Sequence, residues 1–184
     1  MVLFNELPEI VEARKIITLY GYSVASIPVR VKEIIIDKGI FINEMDLPNG
    51  ISGVLDTRGK KPIVLINSTH SEKRQRFSMA HEFGHFLLQT SFSGVHMDKA
   101  TYFRSNLSAE GTDIDEKRAN RFAAELLIPT NILLVKLQEY SDLIDNDDDL
   151  LIQNLANDFK VSTAALIFKL SGVLKGLNLT TNIN

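Results

Sequence analysis

The sequence contains no cysteine and no tryptophan among its 184 residues. Without cysteine, the chain can form no disulfide, offers no thiolate to a metal and has no thiol nucleophile. Basic residues are not in excess, since 20 Lys and Arg stand against 23 Asp and Glu, which gives a formal net charge of −3. Proteins that hold nucleic acid mainly through its phosphates carry a basic excess, so we expect no direct nucleic-acid binding here.

The sequence also lacks a segment suited to a membrane. Its first residues show no positively charged region followed by an apolar run, which predicts the absence of a secretory signal. The longest uncharged stretch, residues 16–29, is too short for a membrane-spanning helix and is interrupted by Gly21, Ser23 and Pro28. We therefore expect a cytoplasmic protein without membrane contacts.

Apolar periodicity predicts an α+β fold that is mostly helical. Helical stripes are expected at residues 8–20, 29–39, 71–88, 112–129 and 130–144. Strand-like runs at residues 40–43, 53–56 and 63–66 predict a small antiparallel sheet of about three strands, packed by the helix at 71–88. The stretch between residues 89 and 112 shows no sustained period and is predicted to be a long loop.

A second region is expected at the C-terminal end of the sequence. Two short helices, about 149–159 and 162–175, follow an acidic turn and have the look of a helix-turn-helix. The second helix offers Lys169 as its clearest cation and has no Arg, Asn or Gln that could read base edges. This composition favours a helical pair that completes the hydrophobic core over a helical pair that binds DNA. We place the domain boundary between residues 1–144 and a helical extension, 145–184.

The central chemical signal is the pentapeptide His81-Glu82-Phe83-Gly84-His85. Residues four apart lie on one face of a helix, so the two imidazoles can bind one ion from the same side. Zinc accepts neutral imidazole nitrogens and, in catalytic sites, keeps one position open for water. Glu82 is then placed to take the proton of that water as a general base.

The same pentapeptide also occurs in charged, solvent-facing helices without any metal. Here Met79, Phe83 and Phe86 lie on the face opposite the histidines. This pattern predicts a helix that is anchored in a core on one side while its histidines look out from the other. The surroundings therefore favour a metal site.

The third ligand is not defined by the pentapeptide. A metzincin would carry glycine and histidine three and six residues after His85, but these positions hold Leu88 and Ser91. Downstream carboxylates and the spare histidines remain as candidates, and Glu116 is the best of them. Asn120, one turn further along the same predicted helix, is expected to orient a liganding histidine through its other ring nitrogen.

The helix that carries Glu116 has a narrow, small-residue face. Glu116, Ala119, Asn120 and Ala123 share that face, and the two alanines allow another helix to approach closely. Glu125 falls on the opposite side and is expected to face solvent. The alternative interpretation of Glu116 is a first-turn glutamate favoured by the helix dipole.

The sequence does not determine which group stabilises the oxyanion that develops during peptide hydrolysis. Tyr102, His96, His70 and Arg104 can each supply a hydrogen-bond donor. Three of them lie in or near the predicted loop between residues 89 and 112. Each one taken singly also fits an ordinary surface or packing role.

Several linked motifs resemble the ImmA/IrrE family of metallopeptidases. The resemblance rests on Arg74-Gln-Arg-Phe-Ser-Met-Ala-His-Glu-Phe-Gly-His, on the run from Glu116 to Pro129, on Ile51-Ser-Gly and on the strand-like run from Pro62 to Asn67, in matching order and spacing. It covers about residues 5–135. One departure is Arg118, which stands where many members carry a second acidic residue.

The resemblance implies a gluzincin-like fold, one catalytic zinc held by His81, His85 and Glu116, and peptidase activity. Members of the family cleave helix-turn-helix repressors of phages, mobile elements or stress regulons. The leading hypothesis is therefore a zinc-dependent endopeptidase that cleaves such a repressor, with the extended substrate lying along an exposed strand edge. The alternatives are a non-catalytic zinc module that regulates a repressor by binding it and, third, a DNA-binding regulator. Zinc is inferred from the ligand types alone, and manganese or another divalent ion is the alternative.

Overall fold

The computed structural model describes residues 7–88, 94–99, 112–141 and 148–181. These ranges contain α1 (Pro8–Leu19), a 3-10 turn (Val24–Ser26), α2 (Val31–Asp37), β1 (Phe41–Met45), β2 (Ile51–Asp56), β3 (Ile63–Asn67), α3 (Glu72–Leu88), β4 (Val95–Lys99), α4 (Thr112–Leu127), α5 (Thr130–Ser141), α6 (Asp148–Asp158) and α7 (Thr163–Thr181). The α+β class is confirmed. None of the helices in these ranges is long and apolar enough to cross a bilayer.

The chain forms two compact units, residues 30–123 and residues 1–29 with 124–184. The unit of residues 30–123 contains a four-stranded sheet in the order β1-β3-β2-β4. β1 runs parallel to β3, whereas the β2–β3 and β2–β4 pairs are antiparallel. The expectation of about three antiparallel strands is thus wrong in strand number and in one direction, because the pattern of a single strand does not specify which neighbour it will pair with.

The additional strand, β4, lies inside the stretch predicted to be a loop. Its apolar residues Val95 and Met97 alternate with His96 and Asp98, and Met97 is exposed while Asp98 is buried. The strand thus turns its polar side chains inward. The run alternates as a strand does, but it is only five residues long and lies in a stretch without a sustained period, which was therefore predicted to be a loop.

Helix α3 packs on β2, β3 and α2 within the same unit. Met79 and Phe83 are buried as predicted, and Phe86 is half-buried. However, His81 and His85 are also buried, each only 1% exposed. The expectation that the histidines look out to solvent is therefore wrong: the helix is covered on both sides, and the histidines face an interior polar cluster.

The unit of residues 1–29 and 124–184 contains a buried ion cluster around Glu125, which is fully buried rather than facing solvent as expected. Its Oε1 accepts a hydrogen bond from Arg14 Nε at 2.9 Å, and its Oε2 accepts one from Thr130 Oγ1 at 2.7 Å. Lys169 Nζ, from α7, also donates to Oε2. The sequence prediction failed because helical periodicity assigns a side of α4 but not the elements that cover that side.

The charges of this cluster shift each other's pKa. Burial raises the pKa of Glu125, but the charge of Lys169 and the hydrogen bonds from Lys169, Arg14 and Thr130 outweigh it and hold that pKa below its usual value. Burial lowers the pKa of Lys169, and Glu125 partly offsets this. The two side chains therefore depend on each other for their charged states.

We expect Lys169→Ala to lower the free energy of unfolding by about 3 kcal/mol, because it leaves a buried carboxylate short of one cation. The loss stays at the lower end of the range for broken buried pairs, since Arg14 and Thr130 still bind Glu125. Urea unfolding of both forms measures the difference. Lys175→Ala, at an exposed position of the same helix, is the matched control and should change stability by less than about 0.5 kcal/mol. Equal losses in the two variants would contradict the assignment.

Candidate metal centre

Helices α3 and α4 bring the three predicted ligands together in the unit of residues 30–123. The Nε2 atoms of His81 and His85 are 3.0 Å apart. Glu116 reaches them from α4, with Oε2 3.2 Å from His81 Nε2 and Oε1 3.2 Å from His85 Nε2. One donor atom from each of the three residues lies within 4.8 Å of the others, and all three side chains are buried.

The approach of the two helices depends on a glycine within the pentapeptide. A Cβ at Gly84 would lie 3.0 Å from Phe122 Cδ1 and 3.2 Å from Ala119 Cα. The rings of Phe83 and Phe122 pack edge-to-face beside this point, 5.7 Å apart. Because a glycine of α3 meets an alanine of α4, the backbones come close enough for Glu116 to reach both histidines.

Asn120 determines which nitrogen of His81 faces the cluster. Its Oδ1 lies 3.0 Å from His81 Nδ1, and an amide oxygen only accepts, so Nδ1 must carry the donated hydrogen. In the neutral ring, the lone pair is then on Nε2, the atom that points toward His85 and Glu116. This is the arrangement by which an outer residue orients a histidine toward a metal.

The donor set fits a divalent cation. Two buried carboxylate oxygens, Glu82 Oε1 and Glu116 Oε2, have no hydrogen-bond partner within the described part of the chain. Buried polar atoms without partners are costly, and a cation with its bound water would satisfy both. Two imidazole nitrogens and one carboxylate form a ligand set that zinc uses in catalytic sites.

Strand β4 adds two titratable side chains to the centre. His96 donates from Nε2 to Glu116 Oε1 at 2.7 Å and from Nδ1 to Glu82 Oε2 at 3.3 Å. Asp98 is buried and lies within 4.8 Å of donor atoms of His81 and Glu82. Asp98 was not among the residues predicted from the sequence. The alternation of apolar Val95 and Met97 with polar His96 and Asp98 was a usable signal for it.

The cluster shifts the pKa of its members in opposite directions. Burial lowers the pKa of His96, but hydrogen bonds to Glu116 and Glu82 raise it to about 10. Burial raises the pKa of Glu116, but the three surrounding imidazoles hold it well below its usual range. Burial raises the pKa of Asp98 and lowers that of His85. The centre therefore mixes charges of both signs in a poorly hydrated space.

The other candidates from the sequence are not among the ligands that the structure brings together. His70 is half-buried and its Nδ1 is buried without a hydrogen-bond partner in the described residues, but it is not part of the ligand cluster. Tyr102 and Arg104 lie outside the described residues. Arg118, the departure from the family pattern, pairs with Asp115 at 3.6 Å, which leaves Glu116 as the carboxylate of the ligand cluster.

Two histidines one turn apart, a glutamate from a second helix and a further buried glutamate beside them are the components of an HExxH-type metallopeptidase centre. Comparison with protein families agrees with this class. The model of the Peptidase M78 family, described as the IrrE N-terminal-like domain, matches residues 37–171, and the chain belongs to this family. The predicted resemblance to the ImmA/IrrE family is thereby confirmed. A search of curated proteins gives no match.

We expect Asn120→Ala to weaken zinc binding by about 10- to 100-fold, because His81 loses the acceptor that orients it. Competition with a chromophoric chelator measures the affinity. Asn120→Asp keeps an oxygen acceptor and should retain most of the affinity, while Lys117→Ala, an exposed change on the same helix, should leave it unchanged. An Asn120→Ala protein that binds zinc as tightly as the wild type would contradict this role.

Proposed function

We propose that this chain is a cytoplasmic zinc-dependent endopeptidase that cleaves a helix-turn-helix repressor at a specific site. The observation that carries the proposal is Glu82. It is fully buried beside the ligand cluster without being one of the three ligands, and its Oε1 has no hydrogen-bond partner in the described residues. Burying a second carboxylate at this point is costly, and a site that only stored a metal would not need it.

When bound, the zinc ion supplies Lewis-acid chemistry that lowers the pKa of a water molecule and polarises a peptide carbonyl. Glu82 takes a proton from the attacking water as the water oxygen bonds to the carbonyl carbon. It then gives this proton to the leaving amine nitrogen as the C–N bond breaks. The products are one new carboxyl terminus and one new amino terminus.

His96 is the best-placed donor for the negative charge that develops on the carbonyl oxygen. Its two ring nitrogens both donate inside the centre, to Glu116 and Glu82. To bind the oxyanion, one of these N–H groups has to turn from its carboxylate to the carbonyl oxygen, and a donor in a poorly hydrated site stabilises such charge strongly. The hydrogen bonds to Glu116 and Glu82 favour His96 over His70, which is not one of the residues grouped around the metal site.

The sheet suggests where an extended substrate binds. In the described strands, β4 has only β2 as a hydrogen-bonded neighbour. β4 is also the strand that carries His96 to the centre, and Met97 is exposed on its other face. A peptide added along the free edge of β4 would pass beside the metal ligands, as in other cases of strand addition.

The family supports a repressor as the substrate, and the C-terminal helices give no support to a DNA-binding function. Lys169, the clearest cation of α7, is 3% exposed and bonded to Glu125. It is therefore unavailable to phosphates, which leaves Lys175 as the exposed cation of the described part of this helix. The alternative that remains is a non-catalytic zinc module that binds a repressor, and it differs from the protease in its need for Glu82.

We expect the wild-type protein loaded with zinc to convert the repressor encoded nearest to its gene into two complementary fragments. Glu82→Gln should give no detectable fragments while binding zinc normally, because it removes the proton acceptor and leaves the ligands intact. Intact-mass spectrometry of the mixture measures both the fragments and the scissile bond, and metal analysis checks the loading.

The control is Glu44→Gln, a conservative change at an exposed strand position, which should cleave like the wild type. Cleavage by Glu82→Gln at the wild-type rate would contradict the proposal. Capture of the intact repressor by both proteins, with no fragments from either, would support the binding module instead.

We expect His96→Ala to lower kcat by roughly 100- to 1000-fold, the usual effect of removing one oxyanion donor, with a smaller change in KM. Steady-state kinetics on a peptide that spans the scissile bond measures both constants. His70→Ala is the informative comparison, since it removes the other candidate histidine. A larger loss of kcat in His70→Ala than in His96→Ala would reverse the assignment.

A further inference from the structure

The carboxylate of Glu82 packs directly on the backbone of strand β2. An ideal Cβ placed on Gly53 would lie 2.9 Å from Glu82 Oε1 and 3.1 Å from Glu82 Cγ. Real Cβ atoms essentially never approach other heavy atoms to less than 3.0 Å. The position therefore has room for hydrogen alone as long as Glu82 stays where it is.

Glu82 has little freedom to move away from such a contact. Its side chain is fully buried, and its second oxygen, Oε2, lies 3.3 Å from His96 Nδ1 on β4. The carboxylate is therefore held between Gly53 on one side and His96 on the other. A methyl group at Gly53 would push it toward His96.

The strand is itself fastened to the helix that carries Glu82. The β2–β4 pairing is irregular between Ile51 and Gly53, and Ser52 at this irregularity is buried. Its Oγ accepts a hydrogen bond from Arg74 Nη2 at 3.0 Å. Arg74 lies about two turns before Glu82 on α3, so this bond fixes the strand relative to the helix next to the contact with Gly53.

From these contacts we propose that Gly53 is a positioning residue that seats the carboxylate of Glu82. The proposal rests on the proposed function in one respect, that Glu82 is the general base. Gly53 contacts neither substrate nor metal ligand in this role. Because it has no side chain, it leaves the space that the carboxylate occupies. It thereby determines where the carboxylate of Glu82 lies relative to the metal ligands.

A double-mutant cycle on stability tests the packing without any use of activity. Gly53→Ala should lower the urea midpoint of the wild-type protein. In a Glu82→Ala background the methyl group has room, so the same change should leave the midpoint unaltered or raise it, as glycine-to-alanine changes do where the backbone permits them. An equal loss of midpoint in both backgrounds would overturn the proposal.

Kinetics then tests the consequence for the reaction. Gly53→Ala should lower kcat by roughly 100-fold, as expected for a displaced reacting group, with KM within about twofold and zinc stoichiometry unchanged because the ligands are not displaced. Gly59→Ala is the matched control: it lies in the turn after β2, where a Cβ would be 3.4 Å from the nearest atom, and it should leave kcat unaltered. A kcat for Gly53→Ala equal to that of the wild type would overturn the positioning role.

If even the wild type cleaves nothing, the proposed function fails, whereas the stability cycle still decides whether Gly53 positions Glu82.

Discussion

The contact between helices α3 and α4 at Gly84 and Ala119 is the constraint on which the centre depends. Gly84 packs there against the backbone of Ala119 and the ring of Phe122, and that ring also packs edge-to-face on Phe83. Only at this separation does Glu116 reach both histidines. Any larger residue at Gly84 would move the third ligand away from the other two, so the metal centre is first of all a consequence of helix packing.

The second constraint is the burial of charge. Glu82, Asp98 and Glu116 share one small, poorly hydrated region with three histidines. Such a cluster destabilises the fold unless its charges are compensated. The hydrogen bonds of His96 provide part of that compensation. A cation held by the donor set would provide the rest and would couple the free energy of folding of this unit to metal binding. In the other unit, the buried negative charge of Glu125 is compensated by the side chains of Lys169 and Arg14.

The sequence was sufficient for the parts of the site that follow a helical period. His81 and His85 lie one turn apart on one helix, and Glu116 and Asn120 lie one turn apart on another, so the spacing alone predicts that each pair shares a face. It was insufficient for β4, because His96 and Asp98 place polar side chains on the inner face of a sheet. Asp98 and the seat at Gly53 were missed for the same reason: they depend on which strand lies beside Glu82, not on any local pattern.

By itself the sequence determined the helices, the two-histidine motif with the glutamate inside it, and the family, because these depend on residue types at short, fixed intervals along the chain. Tertiary structure alone decided that the histidines are buried, that β1 runs parallel to β3, that Glu125 is an interior residue and that His96 joins the centre. Each of these is a contact between segments far apart in sequence. Such contacts depend on the packing of whole elements, and no short-range periodicity encodes their partners.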